Sequence, residues 1–334
     1  MYLYILHPTM SQRQAVMDAQ RAERQVDSSL LGLIGNTPTV NIFKDLYPQA
    51  DVTIKLESFN PGGSIKDRVA NKIIQDAESR GLLAPGDELV EATSGNTGIG
   101  IAWIGRLKGY EVTIITHDKV SKEKLALLKF YGAKVIIMSS ETSADSEDHY
   151  VKVARRYASQ KGRFFCDQFY NHSNSLAHYQ STAPELWLQG GRSADIIICG
   201  VGSGGTLVGL SRYFRERGSK ARFVVADPNG SIYHSYFSGS KYVPSSWQVE
   251  GIGSNFIPGI LNDSAADEVY SISDAEAFSA CRIIRQSYSL DIGLSSGAVV
   301  ATAMKILERA PNKKIMCISP DSGERYLSKL QLAE

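Results

Sequence analysis

The chain has 334 residues, which is room for about two domains, and its 43% hydrophobic content is enough to build real cores, so wholesale disorder is excluded. Its 36 basic and 35 acidic residues leave a formal net charge of +1. That balance argues against a nucleic-acid binder, which needs a strong basic excess, although a local basic patch stays open. The 29 glycines exceed what a helical bundle requires, and they fall in clusters.

In chain order, the opening MYLYILHPTM carries a short apolar run with no basic stretch before it and no small-residue cleavage site after it. It does not read as a signal peptide, and Met10 serves as well as Met1 for a start. Residues 11–26 are polar with scattered Ala, Val and Met, and predict a weak helix or arm (1–27) that packs on a partner subunit. Elsewhere no run approaches the ~18 apolar residues of a membrane span. Cys166, Cys199, Cys281 and Cys317 are widely spaced, which fits small apolar core residues in a reducing, cytosolic setting rather than a disulfide framework or zinc ribbon. Six scattered histidines give neither HxH nor HExxH, so no metal site is expected.

From residue 52 onward, short β-branched runs alternate with amphipathic stretches. Strands are predicted at 52–56, 88–92, 111–116, 134–138, 195–199, 222–226 and 314–318. Helices are predicted near 66–80, 97–108, 121–131, 146–160, 174–188, 206–217, 274–288 and 297–309. Such alternation implies right-handed crossovers and mostly parallel sheets: an α/β protein with two three-layer domains. The stretch 229–258, rich in Gly, Ser, Pro and Tyr, is too long for an ordinary connection and reads as a functional loop or flap.

Three glycine clusters follow predicted strand ends: NPGGSIKDR (60–68), TSGNTG (93–98) and GVGSGGT (200–206). Strand-to-helix turns expose backbone N–H groups at the positive end of a helix dipole, where anions bind. The third cluster contains a formal GxGxxG in Gly200, Gly202 and Gly205, with Asp227 about twenty residues on, which is the spacing of a dinucleotide fingerprint. A lone match is equally a tight glycine turn, and Asp227 precedes Pro228-Asn229-Gly230, a turn it could simply cap.

One phosphate, one carboxylate and one lysine account for all three clusters. Residues 202–206 offer a phosphate cup of small residues and a threonine hydroxyl. The 93–97 turn offers hydroxyls and N–H groups suited to a small carboxylate. Lys66 is expected in the first turn of a helix capped by Ser64, with Asp67 completing a capping box. There the positive dipole end lowers its pKa towards the neutral amine that Schiff-base chemistry needs. A Lys-Asp-Arg run is ordinarily a solvated charged face, but the PGGS turn before this one points to a site.

NPGGSIKDR, TSGNTG, GSGGT and GLSSGA in this order resemble the signature of the fold-type II pyridoxal-phosphate enzymes, tryptophan synthase β-like in architecture. More narrowly they are similar to the cysteine synthase/cystathionine β-synthase group, over residues 28–330 and including Ile34-Gly35-Asn36-Thr37-Pro38. The resemblance implies pyridoxal 5'-phosphate as cofactor, held covalently by Lys66 as the catalytic lysine. It implies Asn96 at the phenolic oxygen, Gly202, Ser203, Gly204, Gly205 and Thr206 at the phosphate, and Ser295 at the pyridine nitrogen. Thr93, Ser94, Asn96 and Thr97 would grip the substrate carboxylate with Gln168, and Gly251 would line the substrate site. A serine cannot keep the pyridine protonated as an aspartate would, so the ring is a weaker electron sink. Prompt loss of a β-substituent through an aminoacrylate, then addition of a nucleophile, is the implied route, with Lys66 moving the α-proton.

Within the group, Asp118-Lys119-Val120-Ser121, 227–232, 249–253 and 320–326 lean towards cystathionine β-synthase, where ordinary cysteine synthases typically carry threonine at the place of Lys119. Ser254 stands where animal-type cystathionine synthases usually have tyrosine, and 293–298 look more like cysteine synthase. The expectation is β-replacement on L-serine or an O-activated L-serine with homocysteine. Sulfide or an amine as nucleophile, a nicotinamide oxidoreductase on the GxGxxG turn, and a chemically silent scaffold are the alternatives. A homodimer acting on small amino acids, without haem, nucleic acid or membrane, is implied. The predicted division is a mobile domain over 60–171, closing on the substrate carboxylate, and a second domain over 28–59 plus 172–334. Trp103, Trp187 and Trp247 are expected in core or interface packing.

Overall fold

The computed structural model describes residues 30–143 and 145–330, so the arm expected over 1–27 lies outside the described residues. Among the described residues, ten strands form two sheets. The larger has the order β1 (Thr39–Ile42), β2 (Asp51–Leu56), β10 (Lys314–Ser319), β7 (Ile196–Gly200), β8 (Arg222–Pro228), β9 (Glu268–Ile272). The smaller has the order β5 (Lys134–Met138), β4 (Glu111–His117), β3 (Glu88–Ala92), β6 (Arg163–Phe165). Every pairing is parallel except β1 against β2. The α/β architecture with mostly parallel sheets is therefore as the sequence implied.

Central strands are buried on both faces because helices cover both, which is why they read as continuous apolar runs. Ile197, Ile198, Phe223, Val224 and Val225 are fully buried. One face of the large sheet packs on the Asp274–Tyr288 and Leu294–Arg309 helices, the other on the Gly205–Glu216 helix. Three strands escaped the sequence reading, β1, β6 and β9, and all three lie at sheet edges. An edge strand is half solvated, so its hydrophobic pattern is diluted: β9 is mostly half-buried and β6 has three residues.

The helix expected near 174–188 is one continuous helical run from 173 to 188, but its middle turn, His178–Thr182, is a π turn. The stretch 229–258 is irregular apart from a short helix, Tyr233–Ser238. Trp103 is buried and donates through Nε1 to Asp67 at 3.0 Å. All four cysteines are buried, and burial pushes the Cys199, Cys281 and Cys317 thiols up to about 12.

The Lys66–Ser79 helix is tied to the large sheet by a buried ionic knot. Arg68 donates to Glu57 at 2.7 Å and to Glu185 at 2.7 Å, and Lys55 reaches Glu185 at 2.9 Å. The Thr37 hydroxyl donates to Glu57 at 2.7 Å. Removing one partner from such a knot strands the other charges in the interior. Arg68→Ala is expected to cost ~3–5 kcal/mol of unfolding free energy, read as a lowered urea midpoint.

Candidate active site

The ends of β2, β3 and β7 open on one cavity of about 950 Å³. Lys66 enters from the turn after β2, and Thr93, Ser94, Asn96 and Thr97 from the turn after β3. Gly202, Ser203, Gly204 and Thr206 enter from the turn after β7, while Gln168, Gly251 and Ser295 complete the wall. Of the residues that the resemblance assigns to cofactor or substrate, Gly205 alone is behind the wall: a Cβ there would lie 1.9 Å from the Asn174 Oδ1.

The Lys66 helix does not begin as expected. Its N-cap is Ile65, without a side-chain cap bond, and the Ser64 Oγ accepts from Lys66 N at 3.2 Å. Asp67 turns back to Gly62, accepting its N–H at 2.6 Å, so the capping box gives way to a clasp on the PGGS turn. The Lys66 pKa falls to about 8, chiefly because burial disfavours the ammonium; Asp321 opposes the fall and Lys124 adds to it. The direction matches the sequence argument, but desolvation rather than the helix dipole is its main cause.

In the 93–97 turn, Gly95 N donates to Thr93 Oγ1 at 3.2 Å. The Thr97 hydroxyl donates to Gln168 Oε1 at 2.7 Å, and Gln168 Nε2 donates to Ala92 O at 3.1 Å, which fixes the glutamine against the turn. Asn96 is held at both ends of its amide: Nδ2 donates to Asp321 at 2.6 Å and Oδ1 accepts from Arg325 at 2.7 Å. In the turn after β7, Gly204 has φ +90°, and a Cβ on Gly202 would lie 2.5 Å from Gly251 O. Glycine is therefore required at both for the backbone to approach the cavity. Ser295 lines the cavity from the first turn of its helix, whereas its neighbour Ser296 points into the core and bonds Ser319 at 2.8 Å.

Several residues that the sequence did not single out join this site. Asp321 bridges Ser64 through the backbone and accepts from both Asn96 and the Tyr326 hydroxyl. Lys124 donates to Tyr326 at 2.9 Å and to Glu250 at 2.9 Å, and Glu250 also pairs with Lys329. The 320–326 segment was visible only as a branch marker, and no local spacing links it to Asn96, 225 residues earlier. Asp227 is the reverse case. Its buried carboxylate accepts through Oδ2 from His234 N at 2.8 Å, in the first turn of the short Tyr233–Ser238 helix, so it acts within its own loop. Burial raises its pKa to about 6.

The chain matches the pyridoxal-phosphate dependent enzyme family over residues 30–321. It is 38% identical over 305 residues to the cystathionine β-synthase of Apis mellifera, covering 90% of this chain and 60% of that protein. It is 34% identical over 303 residues to the O-ureido-L-serine synthase of Streptomyces lavendulae, covering 90% of this chain and 91% of that protein. A crystal structure of an O-ureido-L-serine synthase mutant with O-ureido-L-serine bound superposes with a TM-score of 0.83 at 34% identity, over 90% of this chain and 92% of that one. The chain thus spans about 60% of the length of the insect cystathionine β-synthase. It belongs to the pyridoxal-phosphate dependent enzyme family. The dinucleotide reading of the GxGxxG turn falls with that assignment.

The residues present fit the cofactor. A desolvated amine stands in the same cavity as a turn whose glycines keep its backbone bare, with the hydroxyls of Ser203 and Thr206 on the wall. In cofactor-free protein, the pH midpoint for trapping the Lys66 amine with a small aldehyde and borohydride is expected near 8, against an ordinary lysine value of 10.5. Asp321→Asn should lower that midpoint and Lys124→Met should raise it, because the first removes a stabilising anion and the second a repelling cation.

Proposed function

We propose that the protein replaces the β-oxygen substituent of L-serine, or of an O-activated L-serine, with the thiol of homocysteine, forming cystathionine. The observation that carries β-replacement is the pairing, in one cavity, of the Lys66 amine with a neutral hydroxyl, Ser295, at a helix start. Bound pyridoxal phosphate supplies the electron sink for the carbanion at Cα, and opposite a serine that sink is weak enough to favour expulsion of a β-substituent.

In this reading Lys66 anchors the cofactor and its Nζ takes the α-proton and later returns it; a pKa lowered to about 8 leaves a useful fraction of free amine near neutrality. Thr93, Ser94, Asn96 and Thr97 hold the substrate carboxylate with backbone and hydroxyl donors, Gln168 orients Thr97, and Gly251 leaves room beside the amino acid. Asn96 also serves the phenolic oxygen, residues 202–206 hold the phosphate and Ser295 meets the pyridine nitrogen. The unit over 60–171 closes on the substrate and excludes water from the cavity. The enzyme works as a cytosolic homodimer in sulfur amino-acid biosynthesis.

Homocysteine is favoured by the identity to cystathionine β-synthases and by a cavity of about 950 Å³, lined also by Lys119, His149, Trp247 and Ser254, which is larger than serine alone needs. O-ureido-L-serine synthase supports a second reading, because its name describes a serine carrying a small polar β-substituent. Incubating the holoenzyme with serine, O-acetylserine or O-phosphoserine against homocysteine, sulfide, hydroxyurea and small amines, read by mass spectrometry, separates them. Cystathionine is expected as the main product; cysteine or an O-ureido product alone overturns the homocysteine assignment. Lys66→Ala is expected to abolish both the cofactor's lysine-bound absorbance and turnover.

A further inference from the structure

The turn after β7 faces the cavity on one side and the 173–188 helical run on the other. Two side chains of that run, Asn174 and His178, reach the back of the turn. Both are fully buried and neither lines the cavity. Four residues apart, they share one helix face. Asn174 Nδ2 donates to Ser203 Oγ at 2.9 Å, and His178 Nε2 lies 3.3 Å from Thr206 Oγ1. The contact is close because the facing helix has glycines there. A Cβ on Gly209 would lie 2.7 Å from the His178 Cβ, and one on Gly205 would overlap Asn174.

The hydrogen-bond directions follow from chemistry. Asn174 Nδ2 also donates to Gln168 O at 2.8 Å, and a carbonyl can only accept, so the amide cannot be flipped. Ser203 therefore receives an N–H from behind, and its own proton is free to point forward. For His178, Nδ1 lies 2.9 Å from the Thr182 hydroxyl, inside the π turn that begins at His178. If Thr182 donates to Nδ1, the imidazole proton sits on Nε2 and is given to Thr206, which is then free to donate forward as well. The opposite tautomer would turn the Thr206 lone pairs towards the cavity. A dianionic phosphate accepts hydrogen bonds and does not donate them, so only the first arrangement serves it.

We propose that Asn174 and His178 are positioning residues for the cofactor phosphate, each donating an N–H to a loop hydroxyl so that Ser203 and Thr206 both aim their protons at the phosphate. The π turn is the device that sets Thr182 beneath the imidazole and fixes the tautomer; such turns recur at functional sites. Burial keeps His178 neutral, since its pKa lies well below the ordinary histidine value through desolvation, with Lys66 and Arg68 adding to the fall. The proposal rests on the reading that residues 202–206 hold the phosphate.

The test titrates cofactor-free protein with pyridoxal phosphate and with pyridoxal, which lacks the phosphate, following the lysine-bound absorbance. His178→Phe and Asn174→Leu should each weaken pyridoxal phosphate by about tenfold, the loss of one oriented hydrogen bond, and leave pyridoxal unchanged. His178→Gln, which can still donate from the Nε2 side, should recover most of the loss. In a Thr206→Val background His178→Phe should add nothing. Equal weakening of both ligands, or a full His178→Phe effect without the Thr206 hydroxyl, overturns the proposal. If Thr206→Val and Ser203→Ala themselves leave the preference for pyridoxal phosphate intact, the phosphate reading of the turn fails first. Nitrogen-15 NMR of the wild-type protein supplies a measurement that needs no variant: a proton on Nε2 of His178 is expected, and one on Nδ1 overturns the assignment.

Discussion

One carboxylate, Asp321, joins the parts of the site that lie farthest apart in the chain. It pairs through the backbone with Ser64, two residues before Lys66, and takes the Asn96 amide and the Tyr326 hydroxyl on its side chain. Its charge also counters the desolvation of the Lys66 ammonium. Gly293 is glycine because a Cβ there would lie 1.9 Å from Asp321 Oδ1, so even the helix carrying Ser295 starts where this carboxylate allows. Lys66, the 93–97 turn and the helix carrying Ser295 are thus set against one another by one carboxylate.

The three turns present N–H groups and hydroxyls to the cavity, and Lys66, Lys119, Lys124 and Lys329 add cationic side chains to its wall. Charge enters beside the 93–97 turn, where Lys124 packs against Gly95 and Glu250 is shared between Lys124 and Lys329. Lys124 lies on the Lys122–Phe130 helix and Glu250 on the long loop after β8, so this pair spans the cavity between the two sheets. Arg325 makes a parallel tie, donating to Asn96 on one side and to Gly62 O on the other. A salt bridge buried at such a seam contributes little net stability, yet it fixes which atoms meet when the seam is shut.

Much of this was legible in the sequence, for a physical reason. Central parallel strands announce themselves as apolar runs, and glycines that make room for a ligand must cluster at strand ends. Lys66, Asn96, the 202–206 turn and Ser295 were found that way or through resemblance, and all but Gly205 face the cavity. What stayed hidden has no local signature. Asp321 and Arg325 act on Asn96 across more than two hundred residues, and Asn174 and His178 sit in an amphipathic run like any other. The edge strands were missed because solvent dilutes their pattern. Asp227 was ambiguous, because a local cap and a ribose ligand ask for the same residue at the end of the same strand, and the structure gives it a local role at His234 N.

The depressed Lys66 pKa also says where folding energy goes. Moving an amine from 10.5 to about 8 corresponds to about 3 kcal/mol spent on disfavouring its charged form, a sizeable part of a domain's net stability. The neighbouring charges fix the geometry of that helix. Arg68, two residues along the same helix, is locked between Glu57 and Glu185, and Asp67 clasps Gly62 and Trp103. The three consecutive charges of the Lys-Asp-Arg run therefore divide the work: one is held ready for chemistry, and the other two hold its helix in place. A run that composition would assign to a solvated face is buried because two of its members anchor the third.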